Sequence, residues 1–362
     1  MNHFLSAQEI ARQALPILQD NLVFPALTFQ EYSNDFARKG DTIQIRKPPV
    51  YTADEFNGEI RRQDIVEKPV LVTLDKIADV SVEIGAKEMA LSVEDFNTQV
   101  LAPAMAAIAE KINRDGMQLY RDIPYTCGTA GKTPDQLDIF AQASKVLNRN
   151  RAPISPRYGL WDYEALSKLQ VIPAVVNAEK SGDNQCLRDG SIGRILGMEN
   201  FMSQAVPQHK AGKLTAAKVK TQAEAGETTL SLTVTAGDAL CHGDLIQIGG
   251  ETYTVMEPAQ AQGTAMDVEI YPALTKTAGA NETVTLSGSH TANMAFHQNA
   301  FAFVTRPLEQ AKGAESYVVD YEGLTLRVTM DYDIATKKQI LSVDTLYGFR
   351  TIYPELACRV LG

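Results

Sequence analysis

The sequence predicts an α+β protein whose helical and β-rich parts follow one another along 362 residues, and three observations carry that prediction. From Ser92 to about Arg121, apolar residues Phe96, Val100, Ala104, Met105, Ile108 and Ile112 recur at the three- and four-residue spacing of one helix face. On both sides of it, runs such as Val70-Leu-Val72 and Leu324-Thr-Leu326 alternate with the period of a strand. From about His209 to Ser289 the composition turns to Thr, Ala, Gly and Val, as in a small all-β unit.

Composition sets the outer bounds. The apolar fraction of 44% and charged fraction of 22% are ordinary for a globular chain with enough length to bury a core. A net charge of −10 argues against a dedicated nucleic-acid binder, which would carry a basic stripe. No apolar run approaches the length of a membrane span, and MNHFLSAQEIARQALPIL lacks the charged and apolar regions of a secretory signal. Cys127, Cys186, Cys241 and Cys358 are scattered, with no C-x-x-C pair to suggest zinc.

In chain order, residues 1–40 read as an arm in which Ser6 caps a helix carrying Ile10, Ala14 and Leu18, with Pro16 limiting its regularity. Residues 41–85 read as a long two-stranded hairpin whose charged tip, Asp54 to Asp64, projects into solvent. An isolated hairpin is marginal in water, so a projecting one calls for a partner. The long helix starts at a capping box, Ser92 with Asp95, and Pro103 forces a kink or break near Gln99. Thr133 and Pro134 then open a helix burying Leu137, Phe140 and Leu147, and Asp162 caps another carrying Leu166 and Leu169. Between 209 and 289 five or six strands are expected, with Gly249-Gly250 as a two-residue hairpin turn. MAFHQNAFAFVTRPL reads as a buried strand, and antiparallel strands with Val318, Leu324, Leu326 and Val328 facing inward close the chain.

Candidate chemistry is sparse. Gly128-Thr-Ala-Gly131-Lys132-Thr133 ends like a phosphate-binding loop, but Thr126 stands where its first glycine belongs, and RDIPY is a poor buried strand. The glycines at 190, 193 and 197 match neither the dinucleotide fingerprint nor a nucleophile elbow. His3, His209, His242, His290 and His297 show no metal-ligand spacing; His297 reads as a core or interface histidine, and His290 and Ser289 point to opposite faces. No catalytic site, cofactor or metal is expected, and the chain is not read as an enzyme.

The order of parts is more specific than any motif. SVEDFNTQVLAPAMAAIAEKINRD, YTCGTAGKTP, LRDGSIGRILGMENFMSQAVPQH, NMAFHQNAFAFVTRPL and DYDIATKKQILSVDTLYGFRTIYPELACRVL follow in sequence over nearly the whole chain. Together they resemble the major capsid (coat) protein of tailed double-stranded-DNA phages, with the Hong Kong 97-type fold, and most closely the short-tailed-phage branch with an insertion domain. The resemblance implies an N-terminal arm at 1–40, an extended loop at 41–85, and a spine helix with peripheral domain at 86–134. It further implies an axial domain at 135–208 and 290–316, an inserted β-barrel-like domain at 209–289, and peripheral strands at 317–362.

The same resemblance implies hexamers and pentamers of identical chains closing an icosahedral head around DNA, without sequence-specific binding and without a membrane. It also implies a virion component made in the host bacterial cytoplasm. Its expected partners are a scaffolding protein, a portal protein and, in some shells, a decoration protein. Some members cross-link a loop lysine to an asparagine near the C-terminal strands; here the loop offers Lys47 and Lys68 but no asparagine follows Asn299, so non-covalent shells are expected. The arm begins almost at once, so a separate scaffolding protein, rather than a cleaved segment, is expected. Asp54, Glu55, Arg61, Arg62 and Asp64 are the expected intersubunit contacts, and Pro103 the place where the spine bends. The alternatives are an encapsulin-type nanocompartment shell, a phosphate-loop NTPase, and a phage adhesion or baseplate module suggested by residues 209–289 alone.

Overall fold

The computed structural model describes residues 6–30, 42–46, 69–84, 96–177, 185–334 and 338–362, which divide into two compact units.

The first unit comprises Met1–Asn21, Gln30–Ala109 and Ala302–Ile352. It is built on a five-stranded sheet centred on the long strand Lys338–Thr351, which pairs antiparallel with both Lys76–Ile84 and Leu324–Asp333. Glu315–Tyr321 pairs with Leu324–Asp333, and Phe301–Arg306 with the central strand. Leu324, Leu326 and Val328 are buried as expected, whereas Val318 is only half-buried because its strand lies at the sheet edge. The helix Ala7–Asn21, with Ile10, Ala14 and Leu18 buried, packs against Glu315–Tyr321 and Leu324–Asp333. Ser6 and Glu9 form a reciprocal capping box at its start, and the Ala7 N–H donates to Glu315 Oε1 at 2.9 Å. Pro16 sits on the exposed side, where water can satisfy the carbonyl its missing N–H leaves free.

The expected single hairpin over 41–85 is corrected. Thr42–Arg46 pairs with Pro69–Thr73, with Ile43 opposite Val72, but the alternating Val80, Val82 and Ile84 belong to the strand Lys76–Ile84 and pair with the central strand. The break falls at Leu74, which is fully buried and turns the chain into the sheet.

The long helix is continuous from Asn97 to Asp122 in three windings. Asn97–Leu101 is a π turn, with the Ala102 N–H bonded to the Asn97 carbonyl; Ala102–Met117 is α, and Gln118–Asp122 is 3-10. The wide turn immediately precedes Pro103, which crowds the carbonyl four residues back, so the irregularity expected near Gln99 takes the form of a π turn. Residues through Ala109 count with the first unit and Glu110 onward with the second.

The second unit comprises Leu22–Phe29, Glu110–Phe301 and Tyr353–Gly362. Its seven-stranded mixed sheet runs Thr126–Gly128, Ala357–Leu361, His290–His297, Arg157–Trp161, Met198–Met202, Arg194–Ile195, with Gln208–His209 pairing on His290–Thr291. The expected single strand MAFHQNAFAFVTRPL is thus two, His290–His297 and Phe301–Arg306, separated by a 3-10 turn and assigned to different sheets. Helices Asp138–Arg149 and Tyr163–Gln170 bury Phe140, Leu147 and Leu169 with Trp161, whose indole N–H donates to Asn200 Oδ1 at 2.9 Å. Asp162 caps the second helix by accepting from Ala165 and Glu164 N–H groups. The first helix starts at Asp138, not at Thr133. Thr129 and Lys132 bridge across a tight turn, Gly131 N–H donates to the Gly362 carbonyl, and residues 133–135 are not helical. A phosphate-binding loop needs helical backbone immediately after Lys132-Thr133, and the NTPase reading loses its basis there.

Asn113 tethers the segment after the first helix: its Oδ1 accepts from the Val23 and Phe24 N–H groups at 3.1 Å each. Within the same unit, six strands close a barrel in the order Thr229–Thr233, Ala265–Tyr271, Glu251–Val255, Leu245–Ile248, Thr283–Leu286, Ala217–Val219. Alternate residues Leu230, Leu232, Val268, Ile270, Ile246 and Val255 fill it. Gly249 and Gly250, at φ +59° and +83°, make the two-residue turn between Ile248 and Glu251.

Candidate functional site

The predicted contact residues Asp54, Glu55, Arg61, Arg62 and Asp64 lie outside the described residues, as do Lys47 and Lys68. Pro103 lies in the long helix directly after the π turn. The densest polar arrangement in the described residues is elsewhere, where the barrel is joined to the seven-stranded sheet.

The chain runs into the barrel after Gln208–His209 and returns at His290–Thr291, and these two short stretches pair with each other. Ala211 N–H donates to Ser289 Oγ at 3.0 Å beside that pairing. His209 is buried there, with Nε2 2.8 Å from Asp244 Oδ1 and Nδ1 3.0 Å from the Tyr120 hydroxyl. A neutral imidazole satisfies both: Nε2–H donates to the carboxylate, and Nδ1 accepts the tyrosine proton. Asp244 is fully buried and also accepts from the N–H groups of Gly212 and Cys241, the latter at 2.7 Å. Arg359, from the C-terminal strand, donates through Nη1 to the Gly243 carbonyl at 2.8 Å and stacks its guanidinium 4.5 Å from the Tyr120 ring centre. Burial lowers its pKa to about 9, with Tyr120 and Asp244 opposing that fall.

Gly243 stands at φ +89°, and a Cβ there would lie 2.7–3.0 Å from Arg121 Cγ, Cβ and Cα. Only glycine lets the barrel loop approach the end of the long helix this closely. Thr254 Oγ1 closes the same contact by donating to the Arg121 carbonyl at 2.9 Å.

The arrangement combines Tyr, His and Asp, yet Tyr120, His209, Asp244 and Arg359 are each no more than 4% exposed. No reactant reaches a sealed group, so the cluster acts as a structural bolt, fixing the barrel to sheet and helix through charge-assisted hydrogen bonds. Among the described residues no group of His, Cys, Asp and Glu is placed to hold a metal ion. The same residues include no helix long and apolar enough to cross a membrane. His297 is a buried core histidine, accepting from Asn299 N–H at Nδ1, 3.2 Å away.

His290 adds a pH dependence. Its Nδ1–H donates to the Gly288 carbonyl at 2.7 Å, and its ring centre lies 5.2 Å from that of His209. Burial first, then the Arg359 charge, lowers its pKa from 6.5 to about 4, while Asp244 opposes and His209 adds to the fall. The folded state therefore binds this proton less readily than the unfolded chain, so stability rises with pH between about 4 and 6.5 and is flat above. The full effect is on the order of 3 kcal/mol. Urea titrations at pH 7 and pH 4.5 should show His290→Gln losing much less stability on acidification than the parent; parallel losses would contradict this account.

Sequence reasoning missed this site because Tyr120, His209, Asp244, His290 and Arg359 are distant along the chain. One signal was present: His209 and His290 stand at the two boundaries of the compositional shift.

No family model and no curated protein matches the sequence. Solved structures do match in fold. A chain of Mycobacterium phage Che8 aligns with TM-score 0.51 at 15% identity, covering 94% of this chain and 90% of its own. The capsid of Ralstonia phage GP4 aligns with TM-score 0.51 at 9% identity, covering 93% and 87%. The capsid of Cyanophage P-SCSP1u aligns with TM-score 0.50 at 11% identity, covering 94% and 88%. The likeness is one of fold: the chain has the mixed α+β fold of phage capsid chains.

Proposed function

We propose that this chain is the major capsid protein of a tailed phage, one tile of a closed icosahedral shell around double-stranded DNA. The observation that carries this reading is fold similarity over nine-tenths of the chain to the capsids of two phages. In the Hong Kong 97 scheme, the long helix is the spine, the sheet around Lys338–Thr351 is the peripheral domain, and the seven-stranded sheet is the axial domain. The closed barrel, bolted at Asp244, is then an insertion in the axial domain. A shell needs heterologous contacts that close by rotation, and many weak contacts then hold as a multivalent whole. A net charge of −10 suits a container that encloses phosphates without gripping them.

The loop after Thr42–Arg46 is the proposed clasp, with Asp54, Glu55, Arg61, Arg62 and Asp64 meeting a neighbouring copy. Exposed ion pairs are worth about 1 kcal/mol or less each, so the contact works by repetition over many copies. Sedimentation of the chain expressed with its neighbouring genes tests the reading: fast-sedimenting particles holding DNA support it, and particles holding an enzyme point to a nanocompartment instead. Reversing the charge of both Arg61 and Arg62 should reduce the particle fraction while the melting temperature stays unchanged. Normal particle yield from that variant would remove these residues from the interface.

A further inference from the structure

The two ends of the seven-stranded sheet differ in a way that fits one to the other. At one end, Arg194–Ile195 and Met198–Met202 form a hairpin whose two-residue turn is Leu196-Gly197, at φ +46° and +85°. Such turns favour asparagine or glycine at the first position, because a side chain with Cβ is strained at positive φ. Leucine stands there instead and is 58% exposed. Leu196 therefore breaks two local rules at once, one of backbone and one of solvation, and such breaches mark functional positions.

At the other end lies the short edge strand Thr126–Gly128, which among the described residues pairs only with Ala357–Leu361. Beside it the helix Asp138–Arg149 flanks an open groove of about 610 Å³. Cys127, Ala141 and Val146 give the groove apolar lining, with Asp138 at one end of the helix and Lys145 and Arg149 toward the other. The hairpin carries a matching pair, Arg194 and Glu199, directly opposite each other and both exposed.

We propose that Leu196 of one copy seats in the groove beside Thr126–Gly128 of the next, with Glu199 toward Lys145 and Arg149 and Arg194 toward Asp138. This rests on the shell reading above and names a contact within it. A knob at one sheet end and a groove at the other make a heterologous interface, which repeats head to tail and closes into a ring. A short edge strand next to a groove also leaves backbone groups that an arriving hairpin can pair with.

The test uses the full chain. Leu196→Asn removes the apolar knob and relieves the turn, so it should leave the melting temperature equal or higher. It should also raise the concentration needed for assembly on the order of tenfold to a hundredfold. A role confined to folding predicts the opposite pairing of effects. The double variant Leu196→Cys with Ala141→Cys, both in a Cys127→Ala background because Cys127 lines the same groove, oxidised with diamide after assembly, should give a ladder of linked chains on a non-reducing gel that neither single variant in that background gives. Diamide is reduced to its hydrazine as two thiols lose their protons and form the disulfide, so the step balances. Parent shells with no ladder from the double variant, or Leu196→Asn assembling like the parent, overturn the contact. A parent that forms no particle in any condition overturns the shell reading on which the contact rests.

Discussion

Asp244→Ala is expected to destabilise the second unit by about 3–5 kcal/mol, because it strands several buried hydrogen-bond donors at about 1–3 kcal/mol each. The carboxylate is fully buried and receives His209 Nε2 and the N–H groups of Gly212 and Cys241. Its loss leaves those donors without an acceptor, and it leaves the buried Arg359 guanidinium without the opposing charge that sustains its pKa. Asp244→Asn keeps the shape and one acceptor, so it should fall between the parent and the alanine variant. The measurement is the urea midpoint, with Glu257→Ala, an exposed carboxylate of the barrel, as the control expected to stay within about 0.5 kcal/mol. A double cycle with His209→Ala should show coupling, since the two side chains share a 2.8 Å contact. Equal, small losses for Asp244→Ala and Glu257→Ala would mean the bolt bears no load.

Gly243→Ala is expected to cost about 2–4 kcal/mol, combining the strain of a side chain at positive φ with overpacking against the helix end. The added methyl would meet Arg121 at its Cα as well as its side chain, so a change of rotamer does not make room. Gly237→Ala separates the two causes. Gly237 has nearly the same φ, +87°, but nothing within 4 Å of its built Cβ, so only the backbone part of the cost applies. Thermal unfolding of the two variants should rank Gly243→Ala clearly below Gly237→Ala. The same melting temperature for both would show that the close approach to Arg121 is not a constraint.

Local physics was legible in the sequence wherever a residue's neighbours in the chain decide its state. The face of the long helix, the Ser6 cap, the Asp162 cap and the Gly249-Gly250 turn all follow from spacing and side-chain chemistry within one turn. Elements decided by distant residues were not legible. Thr133 and Pro134 look like a helix start, but the turn just before them is tied to distant Gly362 through Gly131, and the helix begins only at Asp138. Val80 and Val82 look like a continuation of the hairpin strand that carries Val70 and Val72, but the central strand, some 260 residues onward, claims them. The polar bolt is the extreme case, since its members come from the helix end, both barrel connections, a barrel loop and the last strand. Histidines without ligand spacing gave no chemical signal; their meaning lies in where they stand, at the two crossings between sheet and barrel.

The central claim, that this chain is a shell tile, is tested most directly by electron microscopy of the purified protein after expression with its neighbouring genes. The account predicts closed icosahedral particles whose reconstructed subunit carries the long helix, the two sheets and the closed barrel. Monodisperse single chains under every condition would contradict it.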